Sequence, residues 1–426
     1  MRHSPLADRL RRLSPGDPGG WAIVGILGSY LLVATRTSHV PVGPGFAYWP
    51  AWIALIVATV LLASLAARRL RPAAPWLRPV EAAAILALTA MVLTDLTMTY
   101  QPLRDLGIYL KAGQHSLAGT PVYLQAAMTE RPADLTNYPF LYPPLTLPIF
   151  SALSLLPVLV AQALWVGCSL GLALLALRTI GLPLRWLAFV ALWPPLFQGL
   201  WVGNVAVPAL ALFALGPWLG AGLVAGAIFK SYTGIAALWL IRERRWLQLA
   251  SGMAAIAVLA FLTLPLVGVS AWQGWIEALR LYQVSQENLP TLYGFGLPRF
   301  LPLWAFVALA AAAVLAALRV TGREGLARLG TATIVASPSL WGHGLLLAVP
   351  SMLTLRALWL WLAIGITSAP DGLQWWWAIG LIGASWLMPG LRRPAATTAG
   401  TAERDADEPL HPLRAGLGPW PEADLG

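Results

Sequence analysis

Apolar runs tile the chain from about residue 21 to about residue 390, and most interruptions are prolines, glycines or small clusters of arginine. A spanning helix needs about 20 apolar residues, and fewer where the surrounding protein thins the hydrocarbon. By that measure the candidate spans are 21–37, 47–67, 79–98, 143–157, 158–177, 186–200, 203–217, 219–241, 246–268 and 301–319. Further spans fall in 329–356, 357–368 and 374–390. Several are short and interrupted by proline, and broken helices are tolerated where they line a cavity inside the protein. The pattern predicts an all-α polytopic membrane protein with about 11–14 transmembrane helices.

Composition sharpens this. Of 426 residues 58% are hydrophobic and 11% charged, and the mean hydropathy is +0.69. Soluble chains carry roughly 25% charged residues, so little is left for a soluble domain. The formal charge of +10 suggests nucleic acid at first sight, but its placement argues otherwise. Arg68, Arg69, Arg71 and Arg78 flank apolar runs, as do Arg242, Arg244 and Arg245, and Arg319, Arg323 and Arg328. Lys and Arg so placed mark cytoplasmic connections. The expected surroundings are therefore membrane lipids, with no nucleic-acid partner. The single cysteine, Cys168, sits in an apolar run, where packing is its simplest role.

Parity assigns sides. Residues 1–20 are polar and basic, and the run after them lacks a convincing small-residue cleavage site. This reads as a cytoplasmic N-terminus before an uncleaved first helix. Three crossings then put a connection at about 99–142 outside. Five more bring Arg242–Arg245 inside, one more puts 269–300 outside, and another returns Arg319–Arg328 to the inside. The transmembrane region is expected over 21–390. Within it, 329–356 is either a hairpin turning near Trp341–His343 or a single span. The tail, 391–426, is rich in Pro, Ala, Thr and acidic residues and is expected to be disordered.

Ionisable groups in hydrocarbon cost about 3 kcal/mol or more, which makes them functional suspects. The exceptions here are Asp95, Asp105, Lys230 and His343. Asp105 opens a stretch with helical spacing to Leu117, with Leu106, Tyr109, Leu110 and Leu117 apolar and Lys111, Gln114 and His115 polar. That spacing predicts an amphipathic helix at the outer interface. A carboxylate there can take a proton from a hydroxyl, or merely pair with Arg104 or the helix dipole. Asp95 closes the third span and has the same plain alternative. Lys230 precedes Arg242 by about 12 residues, roughly 18 Å along a helix, so it lies in the outer half and needs an anion. That anion is a ligand phosphate or a structural partner such as Asp95. His343 stands about 22 Å beyond Arg328 if the chain is helical, again in the outer half. It is a ligand or a packing residue. The second outer connection ends with Glu287, Asn288 and Arg299 among aromatics.

No P-loop, GxGxxG, HExxH or CxxC pair is present. Asp405-Ala406-Asp407 has the form of a metal-binding DxD, but no α/β domain surrounds it. No metal ligand cluster and no cofactor are expected.

Four stretches resemble the integral-membrane GT-C glycosyltransferases, and within them glycosyltransferase family 87, the polyprenyl-phosphate-mannose-dependent group. They are Asp105 to Tyr109 with Gly119-Thr120-Pro121-Val122-Tyr123; Phe140-Leu141-Tyr142-Pro143-Pro144; Ile228-Phe229-Lys230-Ser231-Tyr232 ahead of Arg242; and Ser337-Pro338-Ser339-Leu340-Trp341-Gly342-His343. Together they cover roughly 95–355. The family's Gly-Gln-x-Asn is reduced to Gly203-Asn204, Thr233 replaces a usual Pro, and Asn288-Leu289-Pro290 replaces an Asn-x-Ser. The resemblance implies a GT-C-like fold. It also implies a sugar, such as mannose, carried on polyprenyl phosphate, and a lipid or glycan acceptor outside the cytoplasm. Asp105 would be the base. Lys230, His343 and Arg299 would hold the donor phosphate, and Tyr109, Tyr142, Asn204 and Asn288 would contact substrate. The rival class is a transporter or lipid flippase, which predicts polar residues near both faces. Here the inner half carries few beyond flanking arginines. A catalytically dead membrane subunit is a third reading.

Overall fold

A computed structural model describes residues 102–123, 139–182, 190, 193–288, 294–367 and 372–392. The expected spans 21–37, 47–67 and 79–98, Asp95, and the tail beyond 392 lie outside the described residues, as does much of 186–200. The described residues are mostly helical, and their only β pairing is two isolated bridges. The chain divides into two compact units, residues 100–177 with 198–347, and residues 1–99 with 178–197 and 348–426.

The first unit begins with α1 (Arg104–Leu117). A 3-10 turn at Pro144–Thr146 leads into α2 (Leu147–Ser154), and α3 (Val158–Thr179) follows. Next come α4 (Pro194–Trp201), which runs in from the second unit, α5 (Ala206–Leu215), α6 (Gly220–Phe229) and α7 (Leu238–Arg242). The long α8 (Trp246–Asn288) precedes α9 (Leu303–Leu318) and α10 (Gly322–Val335). In the second unit α11 (Val349–Met352), α12 (Ala357–Thr367) and α13 (Trp375–Leu387) are described. There α12 packs on α13, and the Trp193 indole donates to the Thr367 hydroxyl at 3.1 Å.

Two helices, Val158–Thr179 and the Trp246–Tyr282 part of α8, are long and apolar enough to cross a membrane. Their large apolar side chains face outward: Leu159 is 79% exposed and Leu247 84%. A water-soluble monomer rarely shows so much contiguous apolar surface. Shorter apolar helices cover Pro144–Ser154, Ala206–Leu215, Gly220–Phe229 and Leu303–Leu318.

Two expectations shift. The run 219–241 is not one helix: α6 stops at Phe229, Lys230 is extended (φ −144°, ψ 110°), and Ser231–Ala237 is a 3-10 turn. Ser231, Thr233 and Gly234 are poor helix formers, and the Thr233 hydroxyl takes the Lys230 carbonyl at 2.7 Å. The connection placed at 269–300 is helical through Asn288. Pro265 and a left-handed Gly268 (φ 75°) kink α8 where the expected span ends, and the helix then resumes.

The expected inner turns do meet. Arg242 donates to the Leu318 carbonyl, Glu243 accepts from Gly322 N–H, and the Trp239 indole donates to the Gly322 carbonyl. Arg245 lies over the Trp239 ring, 4.8 Å from its centroid. The chain also doubles back after α10, since Gly330 packs against the Leu347 carbonyl. That is the hairpin alternative for 329–356.

The core beneath α1 joins Leu106, Tyr109, Leu110, Phe140, Leu147, Phe150, Trp165 and Val205. Tyr109 sits 4.7 Å from Phe150 and 5.9 Å from Trp165, ring to ring. Helices α1 and α2 come close because position 113 is glycine: a Cβ there would strike the Phe150 carbonyl, whereas at Gly107 it would meet nothing. Gly113→Ala is therefore expected to lower stability by about 1–3 kcal/mol. Gly107→Ala should gain up to about 1 kcal/mol of helix propensity. Thermal unfolding of the two purified variants checks both signs.

Candidate active site

The acidic turn is held by its neighbour in space. Helix α1 has no side-chain cap. Instead Leu103 N–H donates to the Trp201 carbonyl at 2.7 Å and Asp105 N–H to the Val202 carbonyl at 2.9 Å. Groups that a helix end leaves unpaired thus find the loop after α4. The fit demands left-handed backbone on both sides. Leu103 has φ 53° and Gly203 φ 72°, a region costly for a leucine. The Trp165 indole donates to the Gly203 carbonyl at 2.9 Å and fixes this loop from below.

Asp105 is buried, 6% exposed, and each carboxylate oxygen is engaged. Oδ1 accepts from Arg104 Nε at 2.9 Å, and Arg104 Nη2 lies 2.8 Å away. Oδ2 accepts from the Asn204 amide at 2.5 Å. The plain reading of Asp105 as a partner of Arg104 is thus half of what the structure shows. Asn204 is oriented by its own backbone, its Oδ1 accepting from Ala206 N–H at 2.8 Å.

Tyrosines carry the site further. The Tyr109 and Tyr142 hydroxyls lie 3.0 Å apart. Burial pushes Tyr109 and Tyr142 well above the ordinary phenol value, and for both the Asp105 charge adds to the effect. Both are neutral hydroxyls at physiological pH. Tyr232 acts electrostatically on Tyr142, and the Lys230 ammonium lies 5.9 Å from the Tyr232 ring centroid. Phe229, just before Lys230, packs on the aromatic cluster that holds Tyr109.

His343 packs against the segment just before Asn204. It is 5% exposed, its backbone N–H donates to Gln198 Oε1 at 3.1 Å, and its Cβ lies against Gly199. Gly199 in turn accepts from Asn204 N–H at 2.8 Å. The charges acting on the His343 ring are those of Lys230 and Arg104. Its Nδ1 is buried with no hydrogen-bond partner among the described residues.

Asp105, Tyr109, Tyr142, Asn204, Lys230 and His343 therefore share one neighbourhood of the first unit. Arg299 takes another course. It is exposed, donates to the Gly294 carbonyl at 2.9 Å and lies over the Phe295 and Phe300 rings. Its turn still borders the His343 segment, because Phe295 N–H donates to the Leu340 carbonyl. Asn288 ends α8, and its side chain lies outside the described residues. Among the described residues no three of His, Cys, Asp or Glu form a metal-binding group.

Residues 140–338 match the family model of glycosyltransferase family 87. The chain resembles this family there, and the match supports glycosyltransferase activity. The matched stretch contains Tyr142, Asn204, Lys230, Asn288 and Arg299; Asp105 lies before it and His343 just after it. No curated protein and no solved structure matches the chain.

Two residues escaped the sequence reading. Gln198 is a buried amide inside the apolar run WPPLFQGLW, and that setting was its available signal. Arg104 enters the sequence reading only as a plain partner of Asp105, with no role of its own. The loop makes a direct prediction. Gly203→Ala would place a Cβ 3.0 Å from Leu106 Cβ on left-handed backbone. It is expected to cost about 1–3 kcal/mol, read as a lower unfolding temperature in micelles.

Proposed function

We propose that the chain is a multi-pass membrane glycosyltransferase of GT-C type. It moves a hexose such as mannose from polyprenyl phosphate to a hydroxyl of an extracytoplasmic lipid or glycan. The single observation that carries this reading is the gathering of a buried carboxylate, two neutral tyrosines, an ammonium and a buried imidazole in one unit. Such a donor keeps its tail in the bilayer and its phosphate at the surface, which suits a protein with outward-facing apolar helices.

The step is an in-line displacement. The acceptor oxygen bonds to the anomeric carbon as the carbon–oxygen bond to phosphate breaks, and that electron pair stays on the phosphate oxygen. The acceptor proton passes to Asp105, whose place opposite the leaving phosphate inverts the anomeric carbon. Glycosyl transfer develops oxocarbenium character at the sugar. Phosphate leaves without a strong acid, so the protein's task is to hold its growing charge. Lys230 and His343 are the groups for that. Tyr109 and Tyr142, held neutral, donate and accept hydrogen bonds without competing for the proton. Arg299 keeps at most an outer role, given its own contacts.

The extended backbone at Lys230 also suits a flippase that passes a lipid phosphate through a broken helix. Transfer assays separate the two. Purified protein given a polyprenyl-phosphate hexose and acceptor should form product, and Asp105→Asn should lose about 10²–10⁴-fold in rate while remaining folded. Undiminished turnover in that variant removes Asp105 from the role of base. Lipid movement without sugar transfer in reconstituted vesicles would select the flippase.

A further inference from the structure

We propose that Arg104 is a positioning residue that changes partner during turnover, holding the Asp105 carboxylate in the donor-free protein and turning to the donor phosphate when it binds beside Lys230 and His343. The idea rests on the roles given above to Asp105, Lys230 and His343.

Two groups hold the carboxylate, and they differ in kind. Asn204 is neutral, and both ends of its amide are committed within the protein, to Asp105 Oδ2 and to Ala206 N–H. Nothing in the reaction draws it away. Arg104 holds Oδ1 with Nε and Nη2, and its charge also acts on His343, as does that of Lys230. One short bracket links these places. The segment Gln198–Asn204, the end of α4 and the loop after it, touches His343 through Gln198 and Gly199, and touches Asp105 through Asn204. Between them His343 Nδ1 is buried without a hydrogen-bond partner among the described residues. A buried polar atom left so costs about 1–3 kcal/mol, which a bound acceptor oxygen would relieve.

A guanidinium fork matches carboxylate and phosphate equally well in shape. The donor is a phosphodiester with one negative charge. When the anomeric bond breaks, the phosphate keeps the electron pair and gains a second charge, while Asp105 gains the acceptor proton and loses its own. The electrostatic preference of Arg104 therefore moves from Asp105 to phosphate as the reaction proceeds. Before donor binds, Oδ1 is occupied by Arg104 and Oδ2 by Asn204. Departure of Arg104 toward phosphate bares Oδ1, the oxygen that then takes the proton. The carboxylate becomes an available base only with donor in place, so donor binds before acceptor.

The test uses the full-length protein in lipid nanodiscs, with donor and acceptor varied independently. Sugar-free polyprenyl phosphate and inorganic phosphate serve as inhibitors. Arg104→Gln is expected to raise the donor KM at least about tenfold, the scale of one charge-assisted contact, and to weaken inhibition by phosphate in parallel. Arg104→Lys, which keeps the charge but not the fork, should recover part of that loss. Asn204→Ala should instead lower kcat with donor KM within about twofold, as loss of a contact blind to donor requires. The proposal is overturned if both Arg104 variants leave donor KM and phosphate inhibition unchanged and lose only kcat, as Asn204→Ala does. Should Arg104→Gln not fold, Arg104→Lys decides by the same two readings. Competition by either phosphate that weakens with the substitution supports the proposal; competition that ignores it does not. Full activity in Asp105→Asn would sink the underlying assignment of the base, whatever Arg104 does.

Discussion

A buried carboxylate survives only if its lost hydration is replaced, and the arrangement around Asp105 follows from that requirement. A charge taken out of water costs several kcal/mol unless paired and hydrogen-bonded. Arg104 answers on one oxygen and Asn204 on the other. Asn204 reaches its place because Gly203 turns left-handed against Leu106, and because the Trp165 indole pins the Gly203 carbonyl. The start of α1, in turn, takes its backbone acceptors from Trp201 and Val202. Acid, loop and aromatic floor thus form one cooperative unit, and none of its parts is arranged for the others' absence.

From this anchor the remaining chemistry is reached by short links. Tyr142 meets Tyr109 hydroxyl to hydroxyl, and Tyr232, which acts electrostatically on Tyr142, lies beside Lys230. Helix α4, just before Asn204, supplies Gln198 to the backbone of His343. Asp105, Asn204, Lys230 and His343, remote in sequence, are therefore linked through a few side chains of the first unit.

Helix positions were largely legible, because apolar runs mark both the outward-facing apolar helices and those that pack on the core. The runs 158–177, 301–319, 357–368 and 374–390 correspond to Val158–Thr179, Leu303–Leu318, Ala357–Thr367 and Trp375–Leu387. What failed to show was local conformation set by tertiary contact. Lys230-Ser231-Tyr232-Thr233-Gly234 interrupts the apolar run 219–241, but a single polar patch does not by itself mark a helix break, which here depends on the Thr233 hydroxyl donating to the Lys230 carbonyl. Beyond Gly268 the sequence turns polar on one face only, and Trp275 and Ala278 on the other face join the aromatic core, so a helix persists where a loop was expected. At the site, ionisable residues announced themselves by their cost in an apolar chain. Gln198 did not, because a neutral amide in such a run carries little signal. The pairing of Asp105 with Asn204 spans 99 positions, and no spacing rule reaches that far.

Leu103 adopts a backbone that a leucine avoids on its own, at φ 53°. It does so because the hydrogen bond to Trp201 and the packing of Leu106 leave it no alternative. The turn before Asp105 is therefore preloaded. If the loop 201–204 withdrew, Leu103 would relax to an ordinary conformation and swing the carboxylate out of register. Acid and asparagine thus stand on one support, because the segment that carries Asn204 also accepts the backbone bonds that seat Leu103 and Asp105.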